Sequence, residues 1–291
     1  MNKFKSIYRK KDVIYQKKNV EEIYIQKNFP IFMGCTNQPQ SEDIYSEMIW
    51  KISKDSGVIQ LYKLIPLNIL YFNDHGSGTV GDIWKNHHIK FSNFLNKFKP
   101  KSVLEIGGGH GILFKNYKNK NLIDWTIVEP NPTIKKNKNL KIIKKFFDDE
   151  LNIKKNYDTI VHSHLIEHIY DPLKFIKNCA DRLSKGNKII FSVPNLQMMV
   201  KNKYTNAINF EHTIFLTEKY IEYLFKINSF KLVLKEYYLK DHSIFYAFEK
   251  SNTNFSPILN HLKLYEYNKK LFLNYIKYYK KLIIKLNKKI I

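Results

Sequence analysis

Four glycines stand close together at positions 107, 108, 109 and 111, directly after the apolar run Ser102–Ile106. A ligand can lie against bare glycine backbone, and glycine accepts positive φ angles. The order strand, glycine turn, helix is typical of a nucleotide-binding βαβ unit, because the helix N-terminus adds free N–H groups and partial positive charge. Glu105 precedes the first glycine by two residues. Its carboxylate favours a cationic or amino-bearing ligand over a pyrophosphate.

Further acids follow the next two predicted strands. Glu129 ends the strand predicted at 125–129, at close to the usual spacing of about 20 residues from the glycine turn. A carboxylate there can accept two hydrogen bonds from ribose hydroxyls. Asp148 and Asp149 close the strand predicted at 141–147. Either acid could face a ligand, and Asp149 could instead cap a turn.

Three histidines and a glutamate occur within residues 162–168. His164 and His168 are four residues apart, so they could share a helix face and hold a metal ion. The alternative, which we favour, is that they line a pocket without a metal. Histidine also suits the removal of a hydroxyl proton, because its ordinary pKa lies near working pH. We predict His212 as this base, with His168 and His164 as alternates.

The carboxyl ends of strands in an open α/β sheet form its binding crevice, so these residues need a sheet to position them. The pattern predicts strands at 102–106, 125–129, 141–147, 157–163, 188–193, 230–234 and 242–248. It predicts helices at 84–98, 171–183 and 217–225, with Asp171 and Pro172 starting the second. Alternating strands and helices indicate an α/β fold with a doubly wound, mainly parallel sheet.

The glycine turn with its acid resembles motif I of the class I S-adenosylmethionine-dependent methyltransferases. The segment from His164 to Pro172 is similar to that family's pattern His-x-Leu-Glu-His-x-x-Asp-Pro. The resemblance covers residues 80–250. It implies a seven-stranded Rossmann-like sheet whose last two strands form an antiparallel edge hairpin.

The resemblance also implies S-adenosylmethionine as the cofactor. It places Glu105 near the methionine end, the glycines beneath the cofactor, and an acid after the third strand near the adenine amine. The predicted cofactor-binding residues are Glu105, Gly107, Gly109, Gly111, Glu129, Asp148, Asp149 and His164.

Two segments are most similar to the sugar and surface-polysaccharide branch of that family: 192–195, and Glu211 with His212. This chain has Asn209 and Phe210 where the branch has a tyrosine and its first histidine. The branch also carries an N-terminal zinc module of paired cysteines. Only Cys35 lies in the corresponding region, so we predict a degenerate module and no metal.

The expected function is O-methylation of a small polar, phosphorylated or sugar-linked metabolite, such as a cell-surface polysaccharide precursor. An RNA methyltransferase is one alternative, and a non-catalytic binding protein that kept the fold is another.

The charge balance, 49 Lys+Arg against 26 Asp+Glu, gives a net charge of +23. Such a charge favours an anionic partner: nucleic acid, a membrane surface or a phosphorylated substrate. Arginine, which binds phosphates bidentately, is nearly absent, and lysine is abundant along the whole chain. We therefore predict a small anionic or sugar-linked substrate and do not favour nucleic acid.

The two cysteines, the absence of a secretory signal and the absence of a long apolar run predict a cytoplasmic protein without a transmembrane segment. We predict three domains: an N-terminal arm and cap at 1–78, the cofactor-binding domain at 79–250 and a C-terminal helical extension at 251–291. Residues 1–28 are expected to form a loosely ordered arm or an edge element.

The C-terminal extension repeats leucine and tyrosine every three or four residues, with lysines between them. It could lie as a basic amphipathic helix on an anionic membrane or nucleic acid. We favour a helix that packs on the domain or on a second subunit, which allows a homodimer through this helix.

Overall fold

The structure is a computed structural model that describes residues 4–32, 39–71, 81–148, 151, 153 and 155–290. It contains two compact units. The cap unit comprises Met1–Asn73, Asn195–Tyr220 and Ile258–Ile291, and the sheet unit comprises Asp74–Pro194 and Ile221–Pro257. Each unit therefore gathers separate stretches of chain, whereas the sequence predicted three contiguous domains.

The secondary structure of the described residues is as follows. The strands are β1 (Ile7–Tyr8), β2 (Val20–Pro30), β3 (Tyr45–Ser53), β4 (Ile59–Leu61), β5 (Lys63–Leu64), β6 (Ser102–Ile106), β7 (Asp124–Val128), β8 (Leu140–Ile143), β9 (Thr159–Ser163), β10 (Lys188–Pro194), β11 (Phe230–Tyr238) and β12 (Ser243–Lys250). The α-helices are α1 (Leu67–Leu70), α2 (Asp82–Asn96), α3 (Ile112–Asn116), α4 (Pro172–Asp181), α5 (Leu196–Lys201), α6 (Glu218–Ile227) and α7 (His261–Ile290). Three short 3₁₀ turns are Gln40–Glu42, Ile166–His168 and Thr205–Ala207.

The sheet unit is built on a seven-stranded sheet with the order β11-β12-β10-β9-β6-β7-β8. Strands β6 to β10 pair in parallel, and β12 runs antiparallel to β10 and β11. Both faces are covered, so the central strands carry fully buried residues such as Val103, Ile127 and Val161. This topology confirms the predicted α/β sheet and its antiparallel edge hairpin.

The predicted element bounds hold with small shifts. Asp171 caps α4 by accepting a hydrogen bond from the Lys174 N–H at 3.0 Å, as predicted. The third parallel strand is shorter than predicted and ends at Ile143. This strand lies at the edge of the sheet, and Lys144 and Lys145, which follow it, are exposed. Charged lysines remain in water at an edge, so burial does not extend the strand through them.

The cap unit contains an antiparallel sheet of β2, β3 and β4, which residues 213–215 extend through hydrogen bonds to β4. Of the two predictions for residues 1–28, the edge element is confirmed for the described residues, because β2 is an edge strand of this sheet, and the loosely ordered arm is wrong. Strand β2 has 11 residues, and the buried Asp12 carboxylate accepts hydrogen bonds from three backbone N–H groups between 14 and 17. The buried Arg9 guanidinium donates to the Thr213 carbonyl at 2.9 Å. Buried polar groups order this segment because each has a partner.

Helix α7 packs on the cap unit through the buried side chains Asn268, Phe272, Tyr275 and Ile276. The helix therefore packs on its own chain, which is one of the two predicted arrangements, and its buried side chains contact other segments of the cap unit. The alternative contact with a second subunit stays a prediction. The Asn268 amide donates to the Gly57 carbonyl and to the Tyr220 hydroxyl, both at 2.9 Å. No described helix, α7 included, has an apolar stretch that would cross a bilayer.

Asn268→Ala is expected to lower the free energy of unfolding of the full chain by about 1–3 kcal/mol, because the buried Gly57 carbonyl loses a donor. Urea denaturation followed by tryptophan fluorescence measures this loss. Asn274→Ala, at an exposed position of the same helix, is the matched control and should change stability by less than about 0.5 kcal/mol. Equal stability of the two variants would contradict the role of Asn268.

Candidate functional site

The glycine turn connects the buried strand β6 to the short helix α3. The Gly107 N–H donates to the Val128 carbonyl at 2.9 Å, and the Gly111 N–H donates to the Gly108 carbonyl at 2.7 Å. Gly111 precedes α3 with φ +61°, and a Cβ there would lie 2.1 Å from Cδ1 of Ile134. Glycine is therefore required at 111 for both its backbone angle and its close approach. The predicted succession of strand, glycine turn and helix is confirmed.

Glu105 lies directly under this turn. Its side chain is buried, and a Cβ on Gly108 would come within 2.5 Å of the Glu105 carboxyl carbon. The Trp125 indole N–H donates to Oε2 of Glu105 at 2.7 Å. Burial raises the pKa of Glu105 to about 8, the hydrogen bond from Trp125 lowers it, and the charge of Glu129 raises it further. The carboxyl group is therefore mostly neutral at pH 7 until a cation or further donors favour its charged form.

Glu129 follows β7 and is also adjacent to the turn. A Cβ on Gly109 would lie 3.5 Å from the Glu129 carboxyl group. The Glu129 N–H donates to the Ile143 carbonyl at 3.0 Å, and Oε1 accepts from the Asn131 N–H at 3.0 Å. The fold thus brings Glu105 and Glu129 against neighbouring glycines of the same turn, close enough for the charge of Glu129 to act on Glu105.

The other two predicted acids are less informative. Asp148 is exposed beyond the end of β8. Asp149 lies outside the described residues, as does Cys35 of the predicted degenerate zinc module. The roles of Asp148 and Asp149 and the absence of zinc therefore stay predictions.

A cavity of about 250 Å³ opens at the start of α3. Its volume is close to the lower end of the range for ligand pockets, ~300 Å³. It is lined by Gly81, Asp82, Lys85, His88, Ile112 and Asn116. This open space lies beside α2 and the start of α3, the helix that follows the glycine turn.

His164 follows β9 in a left-handed backbone conformation, with φ +48°. Its N–H donates to the Ser192 carbonyl at 2.8 Å, and its ring Nε2 lies 2.9 Å from the Ser243 hydroxyl. The next residue, Leu165, has Cδ1 3.3 Å from the place where a Gly107 Cβ would be. The loop that carries His164 is therefore packed against the glycine turn.

Glu167 lies between two of the predicted histidines. Its carboxylate Oε1 is 3.5 Å from Nδ1 of His164 and 3.6 Å from Nε2 of His168, and its side chain is 1% exposed. The hypothesis that His164 and His168 share a helix face to hold a metal is wrong. His164 follows the end of β9, and His168 ends the 3₁₀ turn Ile166–His168, which has a different periodicity from an α-helix.

Several residues of this region were not singled out by the sequence. His87 on α2 is fully buried, with Nε2 2.8 Å from the Ser192 hydroxyl, and burial lowers its pKa to about 2. His242 has Nδ1 2.6 Å from the Ser243 hydroxyl. The Trp84 ring lies 4.9 Å from the rings of both His164 and His242. The helical spacing of apolar residues indicates which face of α2 is buried. Nothing in the neighbouring sequence, however, indicates that His87 contacts Ser192, which lies 105 residues away in β10.

His162, in the middle of β9, is a core residue. It is fully buried and stacks on the Phe191 ring at 4.7 Å, and neither ring nitrogen has a hydrogen-bond partner. Burial lowers the pKa of His162 to about 3. Its ring is therefore neutral and packs in the hydrophobic core.

His212, the first predicted base, lies in the cap unit. Its N–H donates to Oδ1 of Asn209 at 2.7 Å, and its ring Nδ1 lies 3.3 Å from the Ala207 carbonyl oxygen. Asn209 also accepts from the Glu211 N–H at 2.8 Å. Asn209, one of the two residues that depart from the sugar-branch pattern, thus orders the turn that carries His212.

The raised pKa of Glu105 predicts a pH dependence of stability. Between pH 5 and 8 the folded chain keeps a proton on Glu105 that the unfolded chain releases, so stability should fall as pH rises. Glu105→Gln cannot ionise and should remove this contribution. Thermal melting of both chains from pH 5 to 9 measures the difference. Parallel pH profiles for the two chains would contradict the buried neutral carboxyl.

Comparison with solved structures finds neighbours of low sequence identity. One is the plantazolicin methyltransferase BpumL in complex with a monoazolic desmethylPZN analog and SAH, at 15% identity and TM-score 0.45, covering 58% of this chain and 84% of that one. Another is the N-methyltransferase NodS from Bradyrhizobium japonicum WM9, at 13% identity and TM-score 0.44, covering 58% and 97%. A third is an O-methyltransferase family protein from Burkholderia thailandensis, at 10% identity and TM-score 0.44, covering 58% and 57%.

No curated protein matches the sequence. A family model described as "Methyltransferase domain" matches residues 87–235. The match covers half of the chain and contains the glycine turn, both acids beside it and the His164 loop. The chain therefore belongs to the methyltransferase domain family, and S-adenosylmethionine is its methyl donor.

Proposed function

We propose that this methyltransferase transfers the methyl group to a hydroxyl of a small polar, phosphorylated or sugar-linked metabolite, such as a cell-surface polysaccharide precursor. The cofactor supplies a methyl group already activated on a positively charged sulfonium. The protein must bind that cation, align the acceptor hydroxyl with it and remove the hydroxyl proton. We also propose the cytoplasm as its compartment, on the low cysteine content.

The cofactor is proposed to bind across the glycine turn. Glu105 offers a buried carboxyl group for a cation at one end, and Glu129 offers a carboxylate for ribose hydroxyls beside Gly109. Gly107, Gly109 and Gly111 leave the backbone bare between them. The fit is supported by the succession of strand, glycine turn and helix and by the two carboxyl groups beside the turn, whereas the Cβ positions of Gly107 and Gly111 face the side chains of Leu165 and Ile134.

Cofactor binding should release a proton from Glu105. At pH 7 a carboxyl with a pKa of about 8 is mostly neutral, and an adjacent cation draws it into its charged form. Calorimetric titration of S-adenosylmethionine in two buffers of different ionisation enthalpy should give a release of about one proton. Glu105→Gln should bind more weakly and release none. If the wild type and Glu105→Gln release the same number of protons, the cation of the cofactor does not bind beside Glu105.

The single observation that carries the hydroxyl acceptor is the arrangement around His164. We assign the Nε2 proton of His164 to the contact with the Ser243 hydroxyl and the hydroxyl proton of Ser243 to His242, which fixes the His164 ring from one side. Nδ1 is then the nitrogen that takes the acceptor proton, and the Glu167 carboxylate at 3.5 Å stabilises the resulting positive ring. The left-handed backbone of His164 supports this role, because such strain is retained mostly at functional sites.

His212 and His168 are the other candidates for the base, and alanine variants of the three histidines distinguish them. An acceptor is first identified by screening nucleotide-sugars and phosphorylated sugars for release of S-adenosylhomocysteine. His164→Ala should then lower kcat by about 10²- to 10⁴-fold, with S-adenosylhomocysteine affinity changed little. His168→Ala and His212→Ala should retain most of kcat.

Ser243→Ala is the intermediate variant of this series, because it leaves the His164 ring in place but removes its hydroxyl partner. Its kcat should lie between those of wild type and His164→Ala. If His212→Ala loses all turnover while His164→Ala keeps normal turnover, His212 takes the proposed role of the base. Steeply salt-dependent binding of RNA would instead support the RNA alternative, and failure to bind cofactor would support the non-catalytic one.

A further inference from the structure

Helix α7 has two parts with different surroundings. In the first part, the buried stripe of Asn268, Phe272, Tyr275 and Ile276 packs on the cap unit. The Tyr275 hydroxyl donates to the Tyr204 carbonyl at 2.7 Å. This part ends at Tyr279, whose hydroxyl donates to the Lys203 carbonyl.

The second part begins at Lys280, whose Nζ lies 5.4 Å from the centre of the Tyr24 ring of β2, and from Lys281 onward most of its described side chains are exposed. The apolar positions continue at the same three-to-four spacing, from Tyr275 and Tyr279 to Leu282 and Leu286. Ile283 and Leu286 are 54% and 47% exposed, while Leu282 is half-buried. The stripe that packs the first part of the helix thus extends beyond its protein partner and faces solvent.

The charge of this second part is of one sign. No Asp or Glu occurs after Glu266, whereas eight lysines do. In the second part they stand at 280, 281, 285, 288 and 289, and the side chains of Lys281, Lys285, Lys288 and Lys289 are exposed. On a helical projection, Lys280, Lys281, Lys285 and Lys288 lie opposite or beside the stripe of Leu282 and Leu286. Lys289 lies within the stripe, and Ile284, 58% exposed, lies on the lysine side. An apolar stripe bordered by lysines is the pattern of a helix that lies in a membrane interface.

We propose that the end of α7, residues 278–290, docks on the surface of an anionic phospholipid bilayer. Leu282, Ile283 and Leu286 enter the boundary between headgroups and acyl chains, and the lysines contact lipid phosphates. Tyr278, 44% exposed at the junction of the two parts, suits the headgroup level, where tyrosine is enriched.

Charge decides between this surface and the other occupants. A second copy of the helix would bring two lysine-rich segments together without any acid to compensate. A nucleic acid would match the charge, but its phosphates would leave the apolar stripe in water. An anionic bilayer matches both features.

Vesicle sedimentation of the full chain tests the proposal, using phosphatidylcholine with 40% phosphatidylglycerol against phosphatidylcholine alone. We expect binding only to the anionic vesicles. The triple variant Lys281→Gln, Lys285→Gln, Lys288→Gln should bind on the order of a hundredfold more weakly, at about fivefold per lysine. The double variant Ile283→Ser, Leu286→Ser should lose binding because it removes the apolar stripe. These positions are exposed, so thermal melting should stay unchanged.

A matched control removes three exposed lysines from the sheet unit: Lys118→Gln, Lys138→Gln, Lys185→Gln. It lowers the net charge equally and should bind anionic vesicles as wild type does. The proposal is overturned by absence of vesicle binding, by equal binding to neutral vesicles, or by a control variant as weak as the α7 variant. A dimer in solution that the Ile283→Ser, Leu286→Ser variant dissociates, or RNA binding lost in the lysine variant without vesicle binding, also overturns it.

Discussion

A carboxyl group buried under a glycine turn is the constraint on which the sheet unit depends. Ionising Glu105 in the absence of water costs free energy unless donors or a cation compensate. Trp125 from the neighbouring strand supplies one donor. The absence of a side chain at Gly108 lets the backbone lie directly on the carboxyl group. The buried acid therefore requires glycine at position 108, and its carboxyl group stays mostly neutral at pH 7.

The topology of the sheet explains why the remaining polar groups gather near that acid. Glu129 and His164 follow parallel strands, whose carboxyl ends meet at one edge. Ser243 arrives from the opposite direction, because it begins the antiparallel strand β12 and pairs with Pro194 at the end of β10. The β11–β12 hairpin therefore places the Ser243 hydroxyl and the neighbouring His242 at the carboxyl ends of the parallel strands.

The cap unit is held together by polar groups in its interior as well as by apolar packing. Arg9 and Asp12 near the start of the chain and Asn268 in α7 are all buried and hydrogen-bonded. Such groups destabilise a core when they lack partners. Arg9 bonds to Thr213, and Asn268 bonds to Gly57 and Tyr220, so these bonds join the three separate stretches of the unit. The same helix that supplies Asn268 carries the exposed lysine-rich end, so one element both completes the cap unit and presents a basic surface.

The sequence by itself determined the parts of this protein that depend on local pattern. Apolar runs, the glycine turn, the acids at strand ends and the cap of Asp171 are recorded in adjacent residues, so the sheet and the two acids beside the glycine turn could be predicted. Only the tertiary structure decided that residues 4–30 are ordered, that the 162–168 segment is a strand end and a 3₁₀ turn, and that Ser192 and Ser243 hold histidines. Those features depend on burial and on hydrogen bonds between residues far apart in the chain, which leave no periodic signal in either partner.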